Sequence, residues 1–266
     1  MWELENKYLF KGIMELRTAL HIGGGKVNVS NTDNPIVRTP EGSPFIPGSS
    51  FKGAFRSTVE KIAVSLPGIK TCQLIENSGA CPTVDPDFPK RKQKIKKEEK
   101  LVKILESELC DTCKLFGSPY TASKIFFHDL EVSEWAGVTQ IRDGVVIDRD
   151  SERARDNLKY DFEVVSPDST FDMEIWLENP SQRDLGLACI GLNEYLGGMG
   201  YLGGIKSRVL ASCIISNFEI YKLDLDTAEG KEERLKKYLI ETEPEKKMDE
   251  VENPKQFVRD QIEMLF

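Results

Sequence analysis

Phe171, Met173, Ile175 and Leu177 alternate with Asp172, Glu174 and Glu178, and no other stretch constrains the fold so tightly. Successive side chains of a strand point to opposite faces, so a period of two makes a strand with one covered face and one polar face. Residues 8–17 sort the same way, with Phe10, Met14 and Leu16 on one side and Lys11, Glu15 and Arg17 on the other. Phe51, Phe55, Val59, Ile62 and Leu66 recur instead at helical spacing, behind a Ser49-Ser50 pair that reads as a helix cap. Leu185, Cys189, Leu192 and Leu196 mark a second amphipathic helix. Further strands are expected at 125–132 and through Val209, Ala211, Cys213 and Ile215.

Residues 137–165 are rich in Asp and Arg and have strand-like edges, Val145-Val146-Ile147 and Phe162-Glu163-Val164-Val165, which predicts a protruding hairpin. Strand, helix, strand, hairpin, strand, helix and strand make an α+β sheet with helices on one face. A ferredoxin-like or RNA-recognition-motif arrangement is the economical choice. The expected division is a core at 1–66 and 114–222, an insertion at 67–113, the hairpin within the core, and a charged extension at 223–266.

No stretch approaches the roughly 20 apolar residues of a membrane span, and the first residues lack the basic and apolar regions of a signal peptide. A cytoplasmic protein is the expectation. Net charge is -8, which by itself argues against a nucleic-acid partner. The charge is unevenly placed, however. Residues 90–103 hold eight Lys or Arg against two Glu, whereas 224–252 hold eleven acids against six bases. The acidic average comes in part from a tail that need not touch a ligand.

Two elements are suited to a sugar-phosphate backbone. Residues 49–56 place Ser49 and Ser50 at a helix start, with Lys52 and Arg56 four apart on one face. Free N–H groups and the helix dipole favour a phosphate there; read alone, the same pattern is an ordinary serine cap with solvated cations. Residues 197–204 carry five glycines in eight, a density suited to close approach of another chain, followed by Lys206 and Arg208 on one strand face. A flexible turn is the plainer reading of that loop.

Cys110-x-x-Cys113 is a common metal-binding half, and Cys72 with Cys81 supplies a looser second pair. Four thiolates around a structural Zn²⁺ would staple an insertion otherwise lacking a core, and this reading is preferred over four free thiols. Cys189 and Cys213 lie on apolar faces and read as core.

An N-terminal strand, His21-Ile-Gly-Gly, Asp33-Asn-Pro-Ile, Ile46-Pro-Gly-Ser-Ser-Phe-Lys-Gly, Cys110-x-x-Cys-x-Leu-Phe-Gly and the glycine-rich loop occur in that order over roughly residues 8–220. Together they resemble the RAMP superfamily of CRISPR-associated proteins, specifically the repeating backbone subunit of type III effector complexes. The resemblance implies a modified RNA-recognition-motif core with a thumb hairpin that pries a guide–target duplex apart. It implies contact of CRISPR RNA with Ser49, Ser50, Lys52 and Arg56, and with Gly203, Gly204, Lys206 and Arg208. His21 and Arg38 join this set, and Arg142 and Arg149 lie in the thumb. The implied partners are CRISPR RNA, target RNA, copies or paralogues of the chain, a large polymerase-like subunit, a small helical subunit and a guide-end-capping RAMP subunit.

Asp33, in a Thr-Asp-Asn-Pro stretch, is by itself a turn former. The resemblance makes it the catalytic residue of a divalent-metal-dependent endoribonuclease, with Mg²⁺ or a similar cation, that cuts target RNA in the complex. Asp33 could take the proton of the attacking 2′-hydroxyl or help hold the cation. His21 and His128 are the only histidines, which argues against a two-histidine ribonuclease. His128 reads as a structural strand residue. A non-catalytic guide-holding subunit, a CRISPR-RNA-processing endonuclease and a zinc-stabilised scaffold without RNA are the competing readings.

Overall fold

In a computed structural model of the chain, residues 3–24, 32–75, 81–150, 152–203 and 210–266 are described, with 154–159 as backbone only. The first half runs β1 (Asn6–Leu16), β2 (Phe45–Ile46), α1 (Gly48–Ala63), α2 (Phe88–Gln93), α3 (Glu98–Glu108) and α4 (Asp111–Phe116). Then follow β3 (Ile125–Phe127), β4 (Leu130–Glu134), β5 (Thr139–Ile147), β6 (Ala154–Val165), β7 (Thr170–Glu178) and α5 (Gln182–Leu196). The chain closes with β8 (Gly200–Tyr201), β9 (Ser212–Asp224), α6 (Lys231–Ile240), α7 (Pro244–Lys247), β10 (Asp249–Glu250) and α8 (Pro254–Glu263).

The fold is mixed α+β around an antiparallel sheet ordered β10-β9-β1-β7-β4-β2, with β3 also on β7 and β8 on β9. Strand β1 is central, Leu9 facing Trp176 on one side and Tyr221 on the other. The period-two pattern holds: Phe10, Met14, Phe171, Met173, Ile175 and Leu177 are all buried in the main core, packed with Phe51, Phe55 and Val59 of α1. Helix α5 is buried on nearly every side from Asp184 to Leu192, so it is less amphipathic than its spacing predicts. A Ser181/Asp184 capping box starts it, and Lys124 Nζ sits 2.6 Å from Asp184 Oδ2.

The single strand expected at 125–132 is broken into β3 and β4, and the break has a cause. Asp129 Oδ1 accepts the backbone N–H of Gly48 at 2.7 Å, at the start of α1. A Cβ on Gly48 would lie 2.3 Å from Phe127 O, so helix and strand approach as only glycine allows. Pro47 occupies the N-cap position without a side-chain cap bond, and Ser49 and Ser50 lie inside the first turn. The expected serine cap is thereby corrected. His128 falls in the strand break, exposed, with Nδ1 3.5 Å from Glu174 Oε1, rather than inside a strand.

Helices do not stay on one face. Helix α8 joins the main core through Val258, while Met248 and Tyr238 cover Leu9, Tyr221 and Leu223 on the opposite face of the sheet. The C-terminal segment therefore wraps the sheet edge, contributing both helix and strand. Among the described residues, strands β5 and β6 form a separate two-stranded hairpin, which a bridge between Val165 and Leu20 ties to the segment after β1. Residues 72–113 build a second small core from Val84, Phe88, Leu105 and Leu109 around four cysteines.

Candidate functional site

An open groove of about 410 Å³ is lined by Ile22, Gly23, Ser49, Ser50, Gly53, Ala54 and Gly203. It brings together three residues the sequence singled out, Ser49, Ser50 and Gly203, at the first turn of α1, where Gly48 N donates to Asp129 Oδ1 and both Ser50 N and Phe51 N donate to Pro47 O. Gly204, Lys206 and Arg208 lie outside the described residues. Gly203 has φ +69° and a Cβ there would stand 2.4 Å from His21 O; a Cβ on Gly200 would stand 2.2 Å from the Tyr195 ring. The chain that these two glycines admit is the protein's own. Close self-packing shapes the groove wall.

Lys52 and Arg56 are turned away from the groove. Lys52 Nζ donates to Ser123 Oγ at 2.8 Å and to Ile125 O at 3.3 Å. Burial and the neighbouring Arg56 charge push its ammonium below its ordinary pKa. Arg56 donates to Glu60 Oε1 at 2.8 Å, Gly117 O at 3.2 Å and Cys113 Sγ at 3.3 Å. These cations pin α1 to the segment leaving the cysteine cluster, instead of standing solvated on a helix face.

The Asp33 loop is laced to strand β6. Asp33 N donates to Asp161 Oδ1 at 2.7 Å, Thr32 Oγ1 donates to the same oxygen, and Asp161 N donates back to Asp33 Oδ2 at 3.3 Å. Asn34 Nδ2 donates to Asp161 O at 3.0 Å, and Glu163 N donates to Asn34 O at 3.0 Å. Further along, Ile36 N donates to Glu163 Oε2 at 3.1 Å, and Arg38 and Thr139 both reach Glu163 Oε1. Burial raises the Glu163 carboxyl, but bonds from Thr139, Ile36 and the Arg38 cation outweigh it and hold it below the usual glutamate range. Arg38 is thus engaged at the hairpin root.

On its other side the loop joins the groove wall. Gly23 bridges Ile36, and Val37 N donates to Ile22 O at 2.9 Å. His21 Nδ1 lies 2.7 Å from Glu163 O, which requires that nitrogen to carry the proton, and its ring meets Phe162 edge-on at 5.6 Å. Asp33 itself remains exposed. Arg142 faces Phe162 across the hairpin, and Arg149 is exposed near its far end. Asp161, Glu163 and Asp129 carry no local sequence signal for these roles. The Asp33–Asp161 contact spans 128 positions.

Cys72, Cys81, Cys110 and Cys113 are buried, and their sulfurs all lie within 4.8 Å of one another. Cys72 Sγ and Cys113 Sγ are 3.6 Å apart, close to the roughly 3.8 Å separation of ligands on a tetrahedral ion with metal–sulfur bonds of about 2.3 Å. Burial pushes the Cys72 thiol up to about 11, while hydrogen bonds from Cys110 and Cys113 lower Cys81 strongly. The donor set suits a metal ion bound by four sulfurs.

Comparison with known proteins bears on identity. The family model of the RAMP superfamily matches residues 13–208. The protein named CRISPR system Cms endoribonuclease Csm3 of Methanocaldococcus jannaschii is 45% identical over 60 residues, 22% of this chain and 24% of that one. The protein of the same name from Methanothermobacter thermautotrophicus is 44% identical over 59 residues, so these matched stretches span about a quarter of either relative. A third, from Streptococcus thermophilus, is 27% identical over 241 residues, 84% of this chain and 98% of that one. With the family match running from the first strand to the glycine-rich loop, the chain belongs to the RAMP superfamily.

Proposed function

We propose that this chain is the guide-holding backbone subunit of a type III CRISPR effector complex and cleaves the target RNA paired to the guide. The observation that carries the reading is the double attachment of the Asp33 loop: Asp161 of the hairpin holds one side, and Gly23 of the groove holds the other. A guide lying over the first turn of α1 and a target displaced by the hairpin would thus meet one rigid loop. The names borne by the relatives favour an endoribonuclease within such a complex.

Ser49, Ser50 and Gly203 contact the guide's phosphates and 2′-hydroxyls, which positions any guide without reading its bases. Lys206, Arg208 and Gly204 extend that contact, and Arg142 and Arg149 meet the duplex on the thumb. Lys52, Arg56 and Arg38 act chiefly by holding the elements that line the path. The strand order β9-β1-β7-β4 beneath α1 and α5 favours a ferredoxin-like core. Copies of the chain and the other effector subunits stack along the guide.

For cleavage, the nucleophile is the RNA's own 2′-hydroxyl, and the protein holds it in line with the scissile phosphate. Asp33 accepts the hydroxyl proton as the O2′–P bond forms and the P–O5′ bond breaks, and the departing O5′ takes a proton from water, leaving a cyclic phosphate and a 5′-hydroxyl. A bound divalent cation would offset charge on the phosphate oxygens. In the alternative role, Asp33 would help hold that cation beside the phosphate. The four cysteines hold a structural Zn²⁺.

Purifying the assembled complex and sequencing its RNA tests the reading. Short repeat-derived guides are expected, with target cutting lost in Asp33→Ala while the guides remain. An assembled Asp33→Ala complex that still cuts would leave a purely guide-holding subunit.

A further inference from the structure

Arg56 stands out because its sequence context suggests a phosphate ligand, while its position does not. The side chain is 15% exposed and is absent from the groove lining. Its guanidinium stacks toward the Phe116 ring, with 5.8 Å to the centroid, and points a nitrogen at Cys113 Sγ at 3.3 Å. Thr83 Oγ1 donates to the same sulfur at 3.2 Å.

A neutral thiol is a weak acceptor, so a buried, charge-bearing donor aimed at it is poorly matched. A metal-bound thiolate changes the balance. Four thiolates on one divalent cation carry a net charge of two minus, and hydrogen bonds to sulfur from a cation relieve it. Glu60 Oε1, at 2.8 Å, fixes the guanidinium so that this nitrogen stays on the sulfur. Gly117 O accepts a further N–H, binding the exit of the cysteine segment to the same side chain.

We propose that Arg56 is a positioning residue for the metal centre: it donates to the metal-bound thiolate of Cys113 and so ties metal occupancy to the placement of helix α1. The inference rests on the four-cysteine site holding a metal. Because the first turn of α1 lines the groove, the insertion acts as the rear anchor of the guide-binding helix, and the two sites are not independent.

The test uses the full-length chain loaded with Zn²⁺, following transfer of the metal to a chromophoric chelator, and the Co²⁺-loaded chain, following its sulfur-to-metal charge-transfer band. Arg56→Met is expected to release Zn²⁺ roughly 10–100-fold faster, the usual effect of removing an outer hydrogen bond to a metal ligand. The Co²⁺ band should shift with it. Arg56→Lys keeps a cation and should fall between wild type and Arg56→Met in both readouts, deciding the matter if Arg56→Met does not fold. Lys61→Ala, exposed in the last turn of the same helix, should leave the band unmoved. A wild-type band and release rate in a folded Arg56 variant overturns the role of Arg56 while the metal site stands. A wild-type chain that retains no metal overturns the metal site itself.

Discussion

Asp33 and Asp161 exchange backbone-to-carboxylate hydrogen bonds, Asp33 N to Asp161 Oδ1 at 2.7 Å and Asp161 N to Asp33 Oδ2 at 3.3 Å. The loop carrying the candidate catalyst and the hairpin are therefore one mechanical unit. The position of Asp33 on a bound RNA depends on a residue far away in the chain.

Asp161→Ala should lower target cutting by about 100-fold while leaving guide content of the purified complex unchanged. A misplacement of about 1 Å at a reacting group costs that much. Asp161→Asn keeps an acceptor for the Asp33 N–H and should recover part of the loss. Single-turnover cutting of a labelled target measures both; full activity in the Ala variant would show that the exchange does not position Asp33.

Gly53→Ala should separate stability from RNA binding. Gly53 sits inside α1, and a Cβ there meets nothing within 4 Å, so alanine should stabilise by about 0.5–1 kcal/mol. The same methyl projects into the groove and should weaken guide RNA binding by roughly tenfold, the effect of about 1.4 kcal/mol. Thermal melting and filter binding at fixed salt read the two effects; equal RNA affinity would remove Gly53 from the guide path.

Loss of metal should melt the insertion before the main sheet. The second core is small and centres on the four sulfurs, so a strong chelator or Cys110→Ser should open residues 67–113 to protease while the main core stays protected. Elemental analysis of untreated protein should give about one zinc per chain. Protease resistance unchanged by chelation would mean that the apolar residues alone suffice.

Acid should loosen the hairpin root. The Glu163 carboxyl is held below its unfolded value, so it contributes stability above the usual glutamate pKa of about 4.3, and that stability is lost as pH falls through the lower folded value. Melting temperatures measured from neutral pH downwards should drop more steeply for wild type than for Glu163→Gln below about pH 4.3. Parallel curves would assign the acid response to other carboxylates.

Truncation before Pro254 should destabilise the whole chain. Val258 is buried in the main core, and Leu265 fills the space that a side chain at Gly186 would need. Val258→Ala alone should cost about 2 kcal/mol in chemical denaturation. An unchanged midpoint would make the C-terminal helix dispensable.

Much of the frame was legible because its signals are local. Alternation at Phe171–Leu177 marks a strand wherever it lies, and the 3.6-residue spacing from Phe51 to Val59 marks a helix face buried in the core. The cysteine set was legible too, since a Cys-x-x-Cys pair joined by a second pair reads first as a set of metal ligands. What failed were statements about direction. Lys52 and Arg56 look alike as solvated or phosphate-binding cations until Ser123, Gly117 and Cys113 are brought beside them. The helix cap was misassigned because Asp129, not a neighbouring serine, receives the Gly48 N–H.

By itself, then, the sequence determined the first strand and the Phe171–Leu177 strand, the two core helices, the cysteine cluster and the family, because periodicity and motif order are properties of neighbouring residues. Only the tertiary structure decided which groups face the groove, which cations anchor the metal insertion, and that the hairpin holds the Asp33 loop. Those outcomes depend on contacts between residues far apart in the chain, 128 positions for Asp33 and Asp161 and 142 for His21 and Glu163, and such contacts leave no trace in local pattern.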